Sequence, residues 1–220
     1  MPELPEVETT RRGIAPHLVG RTVTGVLVRD HRLRWPVPRG LAGHLVGQTL
    51  QAVDRRAKYL LLRFPNGTVV LHLGMSGSLR IVRADVPADA HDHLDLVFGA
   101  QALRLRDPRR FGSLHWVTGD PERHPLLARL GPEPLDEGFD ATYLHAVAHR
   151  RRVAAKTLLM DSHVVVGVGN IYANESLFRA GLRPTRRSDR LTRADCARLF
   201  EAVRDVLSAA IAVGGTTLRD

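Results

Sequence analysis

The spacing of apolar residues changes character near residue 120, and this change constrains the fold more than any other feature of the chain. Before it, short apolar runs alternate with turn residues, as in antiparallel sandwiches and barrels. The Asn66-Gly67 pair between two of these runs is a strong hairpin signal. A short helix is predicted over 5–15, ending before Pro16. Strands are predicted at 22–28, 59–64, 68–73, 79–82, 94–98 and 102–105.

Beyond the change, the apolar spacing is helical. Residues 141–160 carry a helical pattern, and Thr192-Arg193-Ala194-Asp195 predicts a capping box that opens a helix stopped by Gly214-Gly215. Gly and Pro cluster in the segment that joins the two patterns, which predicts a domain boundary there. We therefore predict an α+β protein of two domains. Residues 1–120 form an antiparallel β-sandwich with an N-terminal helix, 121–134 a connector, and 135–220 an all-α domain.

The chain is strongly basic, with a formal net charge of +9 and a pI near 11.0. Such a balance favours a polyanionic partner, nucleic acid first, because fixed cations displace the counterions of phosphates. The alternative is an arginine-rich composition whose charges are simply solvated. No apolar run is long enough to span a membrane and the acidic start is no signal peptide, which predicts a cytoplasmic protein without a membrane partner.

The first residues, Met1-Pro2-Glu3-Leu4-Pro5-Glu6, offer a candidate nucleophile. Removal of Met1 would leave Pro2 with a free secondary amine, and a neutral amine attacks electrophilic carbon as catalytic lysines do. Glu3 and Glu6 could then supply a general acid and a group that positions the amine. The alternative is an ordinary helix start, with Pro5 in the first turn and acidic residues favouring the helix N-terminus.

Lysine is rare in this chain. Of the 32 basic residues only Lys58 and Lys156 are lysines, so these two sites are candidates for chemistry that needs an amine able to release a proton. Lys58 lies in Arg55-Arg56-Ala57-Lys58-Tyr59, which can equally be a solvated strand end. The single cysteine, Cys196, excludes an internal disulfide and any multi-cysteine zinc site within these residues.

Two loops could insert side chains into a nucleic-acid duplex. Met75 lies in the glycine-interrupted stretch 72–78 and could act as an apolar wedge, or fill a core. Arg109 and Phe111 lie in Asp107-Pro108-Arg109-Arg110-Phe111-Gly112, where an arginine could enter the space of an extruded base while the phenylalanine stacks. A buried Phe111 is the alternative.

Two further stretches predict phosphate contacts. Residues 164–175 place a Gly-x-Gly turn before a helix starting near Asn170, and the backbone N–H groups there, with the Asn170 amide, predict an anion site for a DNA phosphate. His91-Asp92-His93 has ligand types that suit zinc, but no further ligand cluster accompanies it. Phosphate contact by His91 is the preferred interpretation.

Six motifs in this order resemble the bacterial formamidopyrimidine-DNA glycosylases, and the match extends from Pro2 to Asp220. They are Pro-Glu-Leu-Pro-Glu-Val-Glu-Thr, Arg-Arg-Ala-Lys-Tyr-Leu, His-Leu-Gly-Met-Ser-Gly, His-Asp-His, Asp-Pro-Arg-Arg-Phe-Gly and Gly-Val-Gly-Asn-Ile-Tyr-Ala. The resemblance implies a β-sandwich followed by a helix-two-turn-helix domain. It also implies a monomeric, nucleoid-associated repair enzyme that excises 8-oxoguanine and formamidopyrimidines from damaged double-stranded DNA and then cleaves the strand.

Matching positions carry the family's roles onto this chain. The resemblance makes Pro2 the Schiff-base nucleophile, Glu3 a proton donor and Lys58 a proton donor for β-elimination. Further candidates at the lesion are Glu6, Lys156 and Glu175. The residues that would fill the gap in the duplex are Met75, Arg109 and Phe111. The expected DNA contacts are His91, Arg109, Arg151 and Asn170.

The resemblance also has a departure. The family continues past Gly214-Gly215-Thr216-Thr217 with a four-cysteine zinc finger, and that module is not in these 220 residues. No cofactor is therefore expected in this chain, and family zinc is expected only where such a finger is present. The finger's arginine serves a second, δ-elimination, which stays open here. Two alternatives accompany the enzyme interpretation: a truncated DNA-binding fragment with impaired catalysis, and a non-enzymatic RNA-binding module.

Overall fold

In the computed structural model, which describes residues 2–215, the chain divides into two compact units. Residues 2 and 7–127 form the first, and residues 3–6 and 128–215 belong to the second. The division after Leu127 falls inside the stretch predicted as a connector. The assignment of residues 3–6 to the second unit was not foreseen, because it depends on contacts with helix residues far along the chain.

The first unit contains two four-stranded antiparallel sheets, with strand orders β1-β6-β7-β5 and β2-β3-β4-β8. A shared core of leucine, valine and phenylalanine side chains lies in this unit. The predicted β-sandwich is confirmed. The elements are α1 (Leu4–Leu18), β1 (Gly25–Val28), α2 (Leu41–Leu45), β2 (Ala52–Arg56), β3 (Tyr59–Phe64), β4 (Gly67–His72), β5 (Ser78–Arg83), β6 (Asp92–Phe98), β7 (Gln101–Arg106) and β8 (Ser113–Val117).

Three elements of this unit were not predicted: α2, β2 and β8. Strand β2 ends in three consecutive charged residues, Asp54-Arg55-Arg56, so its sequence is typical of a loop. It is a strand because each of its residues pairs with β3. The predicted strand 22–28 is shorter than expected, since Thr22 makes only an isolated bridge to Thr49 before β1 begins.

The β3–β4 hairpin turns one residue earlier than the Asn-Gly signal suggested. Gly67 pairs with Phe64, so Pro65 and Asn66 form the two-residue turn and Gly67 is already in the strand. Because Gly67 has no side chain, the Trp116 ring can pack directly against its backbone. A Cβ at Gly67 would lie 2.6 Å from Cζ2 of Trp116 on the neighbouring strand.

Helix α1 continues through Pro16, contrary to the prediction that it ends before this residue. Proline lacks an N–H and so removes one hydrogen bond from the helix. Here the loss falls in the last turn, and the fully buried Leu18 that follows packs into the core of the first unit. Apolar burial of a leucine side chain is worth about 1.5–3 kcal/mol, enough to offset that loss.

The second unit is helical, as predicted. Its helices are α3 (Ala141–His149), α4 (Ala155–Met160), α5 (Asn170–Arg179) and α6 (Arg193–Ala212). The predicted capping box is confirmed: the Thr192 hydroxyl accepts from the Asp195 N–H at 3.1 Å, and the Asp195 carboxylate accepts from the Thr192 N–H at 2.9 Å. The helical stretch 141–160 is broken at 150–154. Among residues 2–215, no helix is long and apolar enough to cross a membrane.

Candidate active site

The Glu3 side chain occupies the N-terminus of α5. Its Oε2 accepts from the N–H of Gly169 at 2.6 Å, and its Oε1 accepts from the N–H of Ile171 at 3.0 Å. The first N–H groups of a helix have no partner inside the helix and carry the positive end of its dipole. A carboxylate there satisfies them, and Glu3 is only 1% exposed. This contact spans more than 160 residues of sequence and fixes the Glu3 side chain.

Glycine is required where Glu3 meets this turn. A Cβ on Gly169 would lie 2.5 Å from the Glu3 carboxyl carbon, closer than side-chain atoms approach one another. A Cβ on Gly167 would lie 2.5 Å from Leu4 Cδ1, and Gly167 has a positive φ of 81°. The two glycines of the Gly-x-Gly turn therefore allow residues 3 and 4 to pack closely against the turn.

The predicted phosphate site at this turn needs correction. Two of the N–H groups expected to bind a phosphate, those of Gly169 and Ile171, bind the carboxylate of Glu3 instead. The motif was correctly identified as an anion site, but the anion comes from the chain itself. The Asn170 side chain is exposed at the start of α5, so it stays a candidate for a phosphate contact.

Glu6 fixes the backbone of Glu3. Its Oε2 accepts from the Glu3 N–H at 2.8 Å, and its Oε1 accepts from the Tyr172 hydroxyl at 2.5 Å. Glu6 is fully buried and Tyr172 is 1% exposed. Charge-assisted hydrogen bonds of this kind are roughly twice as strong as neutral ones. The Glu3 N–H belongs to the peptide bond that follows Pro2, so this network restricts the residue bonded to Pro2.

Lys58 lies in the tight turn between β2 and β3. Arg56 pairs with Tyr59, so Ala57 and Lys58 form a two-residue turn. Ala57 has a φ of 55°, a left-handed conformation that costs a non-glycine residue about 1–3 kcal/mol, and it is buried. Backbone strain of this kind concentrates at functional sites. Lys58 itself is half-buried, as is Pro2.

The surroundings of Lys58 in the first unit are positively charged and partly shielded from solvent. His72 pairs with Tyr59 across the β3–β4 hairpin, with ring centroids 4.8 Å apart. Burial, together with the smaller effects of the charges of Lys58 and Arg34, lowers the pKa of His72 to about 4. His72 is therefore neutral at pH 7, and its Nδ1 accepts from the Gly74 N–H at 3.0 Å. Lys58 and Arg34 are the cations that act on His72.

Met75, Arg109 and Phe111 come from two loops that pack backbone to backbone. A Cβ on Gly74 would lie 2.3 Å from the carbonyl carbon of Phe111, and Gly74 has a positive φ of 64°. Met75 is 41% exposed and Phe111 is 42% exposed. The Arg109 guanidinium carbon lies 4.9 Å from the Phe111 ring centroid, within cation–π range. Burial of Met75 or Phe111 in a core, the alternative, is wrong.

Asp107 holds these two loops together. Its Oδ1 accepts from the Ser76 hydroxyl at 2.7 Å and its Oδ2 accepts from the Gly112 N–H at 2.7 Å, while the carboxylate is fully buried. Ser76 Oγ in turn accepts from the Arg109 N–H at 3.1 Å. The Asp107 N–H donates to the His91 carbonyl at 3.0 Å, which places His91 beside the same loop. One buried carboxylate thus positions the three exposed side chains.

The histidines of His91-Asp92-His93 do not present a shared face. The β6–β7 register shifts between Asp92 and Leu94, and His93 is buried with Nε2 2.8 Å from the Asp107 carbonyl. Asp92 pairs with Arg80 at 3.3 Å. Within residues 2–215, no group of three or more His, Cys, Asp and Glu side chains is arranged to hold a metal ion.

The remaining candidates lie in the second unit. Arg151 follows α3 and its guanidinium is 3.8 Å from the Asp161 carboxylate. Lys156 is in the first turn of α4 and half-buried, and its N–H donates to the Pro184 carbonyl at 3.1 Å. Glu175 is exposed on α5.

Sequence reasoning did not identify Asp107, His72 or Tyr172 as parts of these arrangements. Asp107 carried a signal, because an aspartate before proline commonly accepts hydrogen bonds from its own turn. His72 and Tyr172 lie within two of the six motifs, but their residue types did not indicate these contacts, since a histidine at a strand end and a tyrosine in a helix are ordinary packing residues.

Comparison with known proteins agrees with this architecture. Residues 1–114 match the model of the formamidopyrimidine-DNA glycosylase N-terminal domain, and residues 130–220 match that of the formamidopyrimidine-DNA glycosylase H2TH domain. A β-sandwich followed by such a helical domain defines the class as DNA repair glycosylase. The formamidopyrimidine-DNA glycosylase of Thioalkalivibrio sulfidiphilus is 62% identical over 221 residues, covering 100% of this chain and 82% of that protein. That of Alkalilimnicola ehrlichii is 61% identical, with the same coverage.

Solved structures show the same fold. The MutM (Fpg) protein of Thermus thermophilus is 42% identical with a TM-score of 0.87, covering 100% of this chain and 79% of that one. Lactococcus lactis Fpg, non-covalently bound to DNA containing an AP site, is 31% identical with a TM-score of 0.91, covering 97% and 83%. This chain belongs to the formamidopyrimidine-DNA glycosylase family.

Proposed function

We propose that this protein is a bifunctional base-excision repair enzyme, a DNA glycosylase and AP lyase that acts as a monomer on damaged double-stranded DNA. It removes oxidised purines, 8-oxoguanine and formamidopyrimidines, through a Schiff base on the amine of Pro2, and then cleaves the strand by β-elimination. The observation that carries this proposal is the fixed position of Glu3, the residue bonded to Pro2, at the N-terminus of α5.

The chemistry follows from an amine beside an acidic residue. The Pro2 nitrogen attacks C1′ of the sugar, the C1′–N bond to the damaged base breaks, and the base leaves with the proton that the amine releases. The C1′–O4′ bond then breaks, O4′ takes a proton, and an iminium forms between C1′ and the Pro2 nitrogen. The iminium acidifies the C2′ hydrogen, so a base can remove it and the 3′ phosphate leaves. Glu3 is the proposed proton donor at the sugar and Lys58 the donor for β-elimination. Glu6 acts as a positioning residue for Glu3.

The target nucleotide must leave the base stack before Pro2 can reach it. Flipping costs a few kcal/mol per base. Met75, Arg109 and Phe111 would recover part of this cost, because two apolar side chains and a stacked guanidinium are exposed together on adjoining loops. His91, Arg151 and Asn170 are the proposed phosphate contacts, and Lys156 is a candidate for contact with the flipped nucleotide.

No step in this proposal uses a metal. A four-cysteine zinc site does not fit these residues, since the chain has one cysteine and Cys196 is buried. Burial raises the pKa of its thiol to about 11, so it is not a ready ligand at neutral pH. β-Elimination is proposed for this chain on its own residues.

Borohydride trapping tests the nucleophile. Reduction of the iminium should join the protein covalently to an 8-oxoguanine duplex, and mass spectrometry of the tryptic adduct should place the sugar on Pro2. A Pro2→Gly protein keeps a primary amine and should trap much more slowly. A Pro5→Ala protein, changed within the same first residues, should trap at a rate close to wild type.

Two results would redirect the proposal. Trapping on any lysine, with Pro2 unmodified, would refute Pro2 as the nucleophile. Tight binding of damaged duplex with neither trapping nor cleavage would favour the alternative of a DNA-binding protein with impaired catalysis, and preference for structured RNA would favour the RNA-binding module.

A further inference from the structure

Helix α3 carries a pair of histidines that the repair reaction does not use. His145 and His149 are four residues apart, so they lie on the same side of the helix. Their ring centroids are 4.3 Å apart and the rings are inclined by 51°. His145 is half-exposed and His149 is exposed. The side chains are thus close, accessible and outside every contact described for Glu3, Lys58 and the two loops.

We propose that His145 and His149 bind one divalent transition-metal ion, with Cu²⁺ the ion preferred. Two histidines at this spacing on one helix face are the pair that binds zinc in His-x-x-x-His motifs. Rings this close can direct one nitrogen each to a single ion, for which metal–nitrogen bonds are about 2.0–2.1 Å. Imidazole suits copper, zinc and nickel, and copper binds tightest in the Irving–Williams order.

The hydrogen bonding of His149 leaves a nitrogen available. Its Nε2 lies 3.1 Å from the Leu191 carbonyl oxygen, which can only accept, so Nε2 carries the proton. In the neutral ring Nδ1 then keeps its lone pair. A metal-bound histidine almost always donates its second N–H to a carbonyl, carboxylate or water in this way, which fixes the ring.

Arg193 brings a positive charge close to His145. Arg193, in the first turn of α6, lines a cavity with His145 and Thr142. Its charge repels a bound cation, so this arginine reduces the affinity of the site.

The site binds a metal but does not build a metallohydrolase. In the His-Glu-x-x-His arrangement a glutamate follows the first histidine and acts as the general base. Ala146 stands at that position here. A third protein ligand is also absent among residues 2–215, so water completes the coordination of the ion.

Titration of the full chain with Cu²⁺, without DNA, tests the assignment by calorimetry and electron paramagnetic resonance. The spectrum should show hyperfine coupling to two imidazole nitrogens at one equivalent of metal. His145→Gln and His149→Gln should each weaken binding at least about tenfold, since one of the two ligands is lost. Arg193→Gln should strengthen it, because a repelling charge is removed. Circular dichroism checks that each variant is folded before metal is added.

His163→Gln is the matched control. His163 is an exposed histidine of the same unit whose Nδ1 lies 3.0 Å from Asp161, and its removal should leave the affinity unchanged. Wild-type protein that shows no two-nitrogen signal would overturn the assignment. So would folded His145→Gln and His149→Gln proteins that bind Cu²⁺ as tightly as wild type, or a loss of binding confined to His163→Gln.

Discussion

Replacing Tyr172 by phenylalanine removes one oxygen from a buried network and leaves the ring in place. The lost hydroxyl donates to Glu6 Oε1 at 2.5 Å, and the other Glu6 oxygen holds the Glu3 N–H at 2.8 Å. Both Tyr172 and Glu6 are almost wholly inaccessible to solvent, so bulk water cannot replace the hydroxyl without rearrangement. The substitution therefore weakens the hold on Glu3 without opening a large cavity.

The size of the effect follows from the charge of the acceptor. A hydrogen bond to a charged group contributes about 1.5–3 kcal/mol, whereas a bond between neutral groups contributes about 0.5–1.5 kcal/mol. We expect Tyr172→Phe to lower the free energy of unfolding by about 2 kcal/mol. For a protein of this size each kcal/mol lowers Tm by about 2–4 °C, which gives about 4–8 °C in all.

Tyr143→Phe is the matched control, because it makes the same chemical change in the same unit. The Tyr143 hydroxyl donates to a neutral acceptor, the Val164 carbonyl, at 2.9 Å, and the residue is half-exposed. Its Tm should fall by less, about 2–4 °C, in keeping with a neutral hydrogen bond worth about 1 kcal/mol. Thermal unfolding followed by calorimetry measures both variants, and borohydride trapping should slow only for Tyr172→Phe.

Equal loss of stability in the two variants would refute the claim that the hydrogen bond from Tyr172 to the Glu6 carboxyl group is the stronger of the two. An unchanged trapping rate for folded Tyr172→Phe would refute the claim that this network positions Glu3. The two readouts separate the structural role of Tyr172 from its proposed effect on the reaction.

Three further predictions rest on other contacts. Gly169→Ala should nearly abolish trapping, because its Cβ would lie 2.5 Å from the Glu3 carboxyl carbon. The control is Gly138→Ala, whose Cβ would lie 3.5 Å from Pro132 and which should trap at the wild-type rate. Equal trapping rates for the two variants would contradict the claim that Glu3 has a fixed position. Burial raises the pKa of Glu8, but hydrogen bonds from Arg11 and Arg12 outweigh this effect and hold the pKa at about 2, below the usual 4.5. The ionised Glu8 therefore stabilises the fold fully above about pH 5, and this contribution is lost as the pH falls toward 2. Glu8→Gln should then lower stability at pH 7 by about 1–2 kcal/mol after solvent screening and flatten its acid dependence in pH-dependent chemical denaturation, and an unchanged acid slope would refute the assignment. Binding to damaged duplex should weaken steeply with salt, and Arg151→Gln should reduce the slope of log K against log salt by about 1; an unchanged slope would exclude Arg151 as a phosphate contact.

Much of the fold could be predicted from local pattern alone. The strands around Leu60, Val70 and Leu103, the capping box at Thr192 and the start of α5 at Asn170 each follow from a few adjacent residues. Strand β2 and the last turn of α1 could not be predicted in this way. The charged residues of β2 are in a strand because β3 pairs with them, and α1 passes Pro16 because Leu18 is buried.

The candidate site likewise has features that follow from local pattern and features that depend on long-range contacts. Pro2, Lys58, Met75, Arg109 and Phe111 were identified from residue type and motif, and the structure exposes the last three together on loops joined by Asp107. The use of the Gly-x-Gly turn was misjudged, since the sequence predicted a phosphate where Glu3 binds. Only a partner distant in sequence distinguishes these two anions.

The sequence by itself determined the two-domain α+β class and the basic character, and it supplied the residues proposed to carry out base excision. Their side-chain types and spacings depend on neighbours within a few positions, which a linear chain records directly. The tertiary structure alone decided that Glu3 lies at the N-terminus of α5, that Tyr172 reaches Glu6, and that His72 is neutral. Each of these depends on burial and on hydrogen bonds between segments that only folding brings together.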